Sequence, residues 1–244
     1  MTSAPSTDRH VRRLPALAAV AALTALAVAA CGGASGNGIA SKSPAAIIAA
    51  AGKAMSGAKS VRVTGTVRTA GEQVGLDITL VSGRGARGHV SLNGLSVQVV
   101  AIGSKLYING SPSFWAHFGG TAAAALLKGK WLQASTTSGP ASAFAGLINL
   151  HSLLGKILAK ANSESGLKKG STITVNGQSA IGVSSTTQNG TLYVATTGTP
   201  YPVELTQGGA SGGRMVFSDY DQSVALTAPS GAINLSQLAA GAGG

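Results

Sequence analysis

Apolar and polar residues alternate along the chain from Val61 onward. Val61, Val63 and Val67 alternate with Arg62, Thr64, Thr66 and Arg68, Leu76, Ile78 and Leu80 with Asp77, Thr79 and Val81, and Val90 and Leu92 with His89 and Ser91. A period of two sends alternate side chains to opposite faces, so these stretches predict half-buried strands with one wet face. Asn93-Gly94 and Gly103-Ser104 separate such runs by two residues, and Asn176-Gly177 and Asn189-Gly190 repeat the arrangement later. These pairs reach the positive φ values that tight hairpins need, which predicts an antiparallel meander. Further strands are expected over 171–175, 178–186, 191–195, 201–206, 213–217 and 223–228, with Pro229 ending the last.

In two places the period changes to that of a helix. Ser43-Pro44 supplies an N-cap followed by proline at the first helical position, and Ile47, Ile48, Ala51 and Met55 then recur on one face until Gly57. Between about 108 and 171 the chain gathers Phe114, Trp115, Phe118 and Trp131. After Pro140 it places Phe144, Leu147, Ile148, Leu150, Leu154, Ile157 and Leu158 at helical spacing. Apolar helices beside strands with one apolar face define a two-layer α+β fold, an antiparallel sheet covered by helices.

The beginning of the chain follows different rules. Arg9, Arg12 and Arg13 precede an apolar run from Leu14 to Ala30, which ends in Val28-Ala29-Ala30-Cys31-Gly32. A basic start, an apolar middle and small residues before a cleavage point make an export signal. The 17 residues from Leu14 to Ala30 sit at the lower limit for spanning a bilayer. The small residues before Cys31 match a lipobox, in which the cysteine is acylated with a diacylglyceryl group and becomes the new N-terminus. A two-chain anchor is stable where one chain is marginal. The expected organisation is a signal peptide over 1–30, lipidated Cys31 and a flexible Gly/Ser-rich tether over 31–42, a domain over 43–230 and a tail over 231–244.

Composition narrows the chemistry. Cys31 is the sole cysteine, so no disulfide can form, and roughly 200 residues beyond the tether suffice for one core. Without the leader, fifteen basic and six acidic residues remain, a net of +9. For an exported, tethered protein the fitting partners are anionic headgroups and envelope polymers, not nucleic acid.

No catalytic residue or cofactor emerges. Gly209-Ala210-Ser211-Gly212-Gly213 matches G-x-S-x-G but lacks the strand before and helix after that a nucleophile elbow requires. His10, His89, His117 and His151 are too far apart to suggest a metal site. Asp219 and Asp221 would share a face if they lay on a strand, although exposed carboxylates at a strand end are the commoner arrangement. Phosphate loops and dinucleotide fingerprints are missing from the sequence.

One order of features carries a resemblance. Lipobox, tether and short helix are followed by Ser60-Val61-Arg62-Val63-Thr64-Gly65, Lys105-Leu106-Tyr107-Ile108, Gly129-Lys130-Trp131, a Leu-rich helical insert, and Phe217-Ser218-Asp219-Tyr220 leading to Ala228-Pro229. This resembles the LppX/LprG-type lipoproteins of actinobacteria, whose fold is similar to the lipoprotein carrier LolA. The resemblance implies a strongly curved antiparallel sheet, a half-barrel, with helices on its concave side. It also implies an apolar cavity that takes acyl chains of a lipid or lipoglycan and helps move them outward from the plasma membrane, with a membrane pump or an acceptor protein supplying direction. By spacing alone, Val63, Leu76, Ile78, Val90, Val97, Leu106 and Ile108 are ordinary core residues. With the resemblance they become candidates for the cavity wall, and Leu147, Leu150 and Leu154 candidates for its lid. The alternative is a non-enzymatic envelope interaction or sensor-associated lipoprotein with a closed core and a basic binding face.

Overall fold

The turn residues set the topology. Asn93-Gly94 joins β3 (Gly85–Leu92) to β4 (Leu95–Ile102), and Gly103-Ser104 joins β4 to β5 (Lys105–Gly110). Asn176-Gly177 joins β7 (Leu167–Val175) to β8 (Gln178–Ser185), and Asn189 leads into β9 (Gly190–Ala195). Each of the three asparagines has φ 48°, the left-handed backbone that this residue type tolerates. The computed structural model describes residues 36–69, 71–137, 166–187, 189–210, 212–235 and 237.

Two meanders share one sheet. The first runs through β1 (Ser60–Thr69), β2 (Glu72–Val81), β3, β4, β5 and β6 (Leu132–Ser135), and the second through β7, β8, β9, β10 (Pro202–Gln207) and β11 (Gly213–Ser218). β11 pairs antiparallel with β1 in the register Val63↔Phe217 and Gly65↔Met215, fusing the meanders into one open sheet. A two-residue strand, β12 (Ile233–Asn234), adds to β6 in parallel.

The sheet is a curved α+β half-barrel with its helices on the concave side, as the pattern and the resemblance led us to expect. Glycines on the inward-facing register permit the bend. Gly65 has φ 146° and Gly88 φ 154°, and a Cβ on either would lie 2.0 Å from the Arg214 carbonyl oxygen or 2.1 Å from that of Asp77. No L side chain fits there, and glycine kinks are a recognised means of curving a sheet.

Helix α1 (Pro44–Gly57) forms where Ser43-Pro44 predicts it, with Ser43 Oγ accepting from the Ala46 N–H at 3.3 Å. A second helix, α2 (Pro112–Leu127), lies ahead of the insert that the helical spacing marks, and residues 144–158 fall outside the described set. Its signal repeats that of α1, because Ser111-Pro112 again places a capping serine before proline and Ser111 Oγ accepts from the Phe114 N–H at 3.1 Å. Gly119-Gly120 obscures the period, and at Gly120 (φ 77°, ψ 179°) the helix is broken by a kink.

Three boundaries differ from expectation. Residues 36–42, read as tether, are docked: Gly36 bridges Thr197, and Asn37 Nδ2 donates to the carbonyls of Ala195 at 3.0 Å and Gly198 at 2.9 Å. A 3₁₀ turn then buries Ile39, and Lys169 Nζ caps the carbonyls of Ala40 and Lys42. Residues 223–228 form no strand. They belong to an extended strap that leaves β11, is held by Arg87 donating to the Ala225 carbonyl at 3.3 Å, and ends in β12, inside the stretch read as a tail. The strap has only single contacts of this kind, without the ladder partners a strand requires.

Candidate functional site

The register resolves the concave face into rows of side chains that run across the strands. The first row is Leu106, Ala101, Ala86, Leu80 and Val61, all 0–2 % exposed. The second is Ile108, Val99, Gly88, Ile78, Val63 and Phe217, where Ile108 is half-buried and the other side chains are buried. The third is Gly110, Val97, Val90, Leu76, Gly65 and Met215, and here Val90, Leu76 and Met215 are half-buried. In the fourth, Leu95, Leu92, Val74 and Val67 are all half-buried.

Burial therefore falls off along the strands although the side chains stay aliphatic. In the first rows the sheet packs into one core with Ile47, Ile48, Ala51 and Met55 of α1 and with Ile39. Beyond them, neighbouring strands carry apolar groups that are neither sealed nor fully wet.

Helix α2 packs against the β4 and β5 side of these rows. Gly110 is the point of approach, for a Cβ there would lie 2.4 Å from Phe114 Cδ1 and 2.8 Å from Trp115 Cε2. Trp115 and Leu127 pack with Leu132, Ile108 and Ile233, and Phe114 meets the Trp115 ring edge-on at 5.0 Å. The buried Trp115 Nε1 has no hydrogen-bond partner among the described residues, which costs about 1–3 kcal/mol for a desolvated donor. Among the described residues it is the one buried side-chain donor left unused, and it lies beside apolar side chains.

The structure thus divides the sequence candidates. Leu106, Val63, Ile78 and Val97 are buried in the core, whereas Leu76, Val90 and Ile108 are half-buried. Leu147, Leu150 and Leu154 lie outside the described residues. Not among the candidates were Val67, Val74, Leu92, Leu95 and Met215, which share the inward register, and Trp115. Their alternation is visible in sequence, but the register that aligns them across strands is not.

The convex face carries the polar groups. Arg62 pairs with Asp77 through Nε–Oδ1 at 2.8 Å and Nη2–Oδ2 at 2.9 Å, and the hydrogen bond holds the carboxyl below the usual range. On β10 the buried Glu204 pairs with the exposed Arg214. Beside Asp77, an open groove of about 330 Å³ is lined by Arg87, His89, Gln98 and Trp131.

Neither carboxylate of the Asp219/Asp221 pair lies on a strand. Asp219 is 3.9 Å from Arg62, and Asp221 accepts from Tyr201 Oη at 2.6 Å and from the Lys59 N–H at 2.7 Å. Tyr201 stacks on Tyr220 at 3.9 Å, and Tyr220 Oη donates to the Pro202 carbonyl. The Tyr201 hydrogen bond lowers the Asp221 pKa, while burial, and then that bond, pushes Tyr201 up to about 12. These groups pin the strap. The 209–213 stretch is the loop between β10 and β11, with Ser211 outside the described residues.

Among the described residues no helix is long and apolar enough to cross a membrane. No family model matches the sequence, and no curated protein matches it. Solved structures do share the fold. A crystal structure of LprF from Mycobacterium bovis is 15% identical with a TM-score of 0.55, over 77% of this chain and 97% of that one. The Mycobacterium tuberculosis lipoprotein LppX is 16% identical with a TM-score of 0.50, over 75% of this chain and 98% of that one. The likeness is one of architecture, and it spans nearly the full length of both structures.

Proposed function

We propose that this chain is a lipoprotein, anchored through Cys31 on the extracytoplasmic face of the plasma membrane, that holds the acyl chains of a lipid or lipoglycan against its concave face and passes them on. One observation carries the reading: the burial gradient from the sealed first row to the half-buried row of Val90, Leu76 and Met215. Apolar walls with few polar groups are the usual lining of a ligand pocket, and here one unused donor, Trp115 Nε1, would suit an ester carbonyl. The shared fold with LprF and LppX, the latter described as a lipoprotein, supports the same reading.

The mechanism is passive. Transfer from water into the cavity is worth about 0.8 kcal/mol per CH₂, but acyl chains in a bilayer are already dry, so extraction gains little. Direction must come from a pump or an acceptor.

Native mass spectrometry with organic extraction tests this on residues 34–244, purified without detergent, a segment that keeps the docked residues 36–42 and forms one compact unit. Discrete added masses that extract as lipids are expected, with a lower load in Trp115→Phe. A clean apo mass, with no uptake from vesicles of host lipids, would overturn the carrier reading in favour of the closed-core interaction protein. Cys31→Ala in the full chain is expected to move the protein out of the lipid-modified membrane fraction.

A further inference from the structure

Helix α2 presents an apolar surface to solvent. Phe118 is 56 % and Leu126 68 % exposed, and every residue from Ala116 to Ala122 is exposed. The Phe118 ring is supported from beneath by Phe114 at 4.8 Å and flanked by His117 at 4.8 Å, so an aromatic ring is held outward on a packed base. The helix ends in Lys128 and Lys130, both exposed.

Charge in this stretch of the sequence is one-sided. Between Asp77 and Glu164 the sequence contains no acidic residue, while it contains Arg84, Arg87, Lys105, Lys128, Lys130, Lys156 and Lys160. The described carboxylates that form ion pairs, Asp77, Glu204 and Asp219, lie on β2, on β10 and just after β11. An exposed aromatic and an exposed leucine on a helix followed by two exposed lysines match an anionic bilayer interface in both apolar and electrostatic character.

We infer that the exposed face of α2 is a membrane-docking surface, in which Phe118 and Leu126 enter the headgroup and acyl boundary of an anionic bilayer while Lys128 and Lys130 contact its phosphates. The inference rests on the membrane-tethered placement proposed above but not on an occupied cavity.

The test uses residues 34–244, which lack the lipid anchor, in co-sedimentation with phosphatidylglycerol and with phosphatidylcholine vesicles. Binding to phosphatidylglycerol, weakened by added salt and stronger than to phosphatidylcholine, is expected. Lys128→Gln and Lys130→Gln should each weaken it about fivefold, and Phe118→Ser with Leu126→Ser at least tenfold. Far-UV circular dichroism and the lipid load in native mass spectrometry should stay unchanged in these variants, so a failed cavity and a failed docking face are told apart. Equal binding to both vesicles, or binding indifferent to the serine pair, would overturn the inference. So would a self-association that the serine pair abolishes while vesicle binding persists, because a second copy would then cover this face.

Discussion

The two helices cover the same concave face in different ways. Ile47, Ile48, Ala51 and Met55 of α1 are all 2 % exposed or less, whereas α2 buries only Trp115 and Leu127 and leaves Phe118 and Leu126 in water. Both helices start with the same Ser-Pro device, so capping does not separate them. What separates them is period. α1 keeps one uninterrupted apolar face, while Gly119-Gly120 divides α2 and throws apolar residues onto two sides. One end of the half-barrel is a sealed core, and at the other the inward side chains are half-buried.

Substitutions should sharpen this contrast. Ile48→Ala, at the sealed end, is expected to lower unfolding free energy by about 2–5 kcal/mol in denaturant titration, a cavity-creating change. Gly110→Ala should cost about 1–3 kcal/mol through overpacking against Phe114 and Trp115. A changed near-UV tryptophan signal would locate that damage at α2. Ser43→Ala should remove about 1 kcal/mol of global stability, while Ser111→Ala should show first as faster amide exchange in α2. Equal effects of the two caps would mean that α2 is as firmly integrated as α1.

Smaller effects concern the strap beside the α1 end. Tyr201, raised from 10.0 to about 12, favours its protonated form in the folded state. Its contribution is fully present below pH 10 and is lost as pH rises through about 12. Asp221, lowered from 3.8, contributes above that value and loses its contribution as pH falls below it. Tyr201→Phe should therefore flatten the alkaline limb of a melting-temperature profile and lessen the loss in acid. The smallest change is expected from Leu126→Ser, within about 0.5 kcal/mol of the parent in the same titration.

Much of the fold was legible because it is written locally. Asn93-Gly94 and Asn176-Gly177 specify hairpins through their own backbone preferences, and the α1 cap and apolar face lie within fourteen residues. Other features depend on partners that are distant in sequence. β11 joins β1 through the pairing of Val63 with Phe217, and Asn37 reads as a linker residue until the carbonyls of Ala195 and Gly198 meet its amide. The strap over 223–228 alternates like a strand, but its backbone has no ladder to join. At the candidate site, alternation identifies Leu76 and Val90 as inward. That they lie where burial falls off depends on where α1 stops.

The docking of residues 36–42 shortens the leash. With Cys31 as the proposed anchor, five residues, 31–35, separate the lipid from the docked Gly36, where twelve would separate it from the domain if docking began only after Lys42. Fully extended, five residues reach about 17 Å and twelve about 40 Å. Because effective concentration falls roughly as the −3/2 power of linker length, the shorter leash raises the local concentration of the domain at the bilayer about fourfold. On the proposed reading, a domain held this closely is confined to the surface of its own membrane, so cargo bound for a distant layer must be collected from it by something that comes within reach.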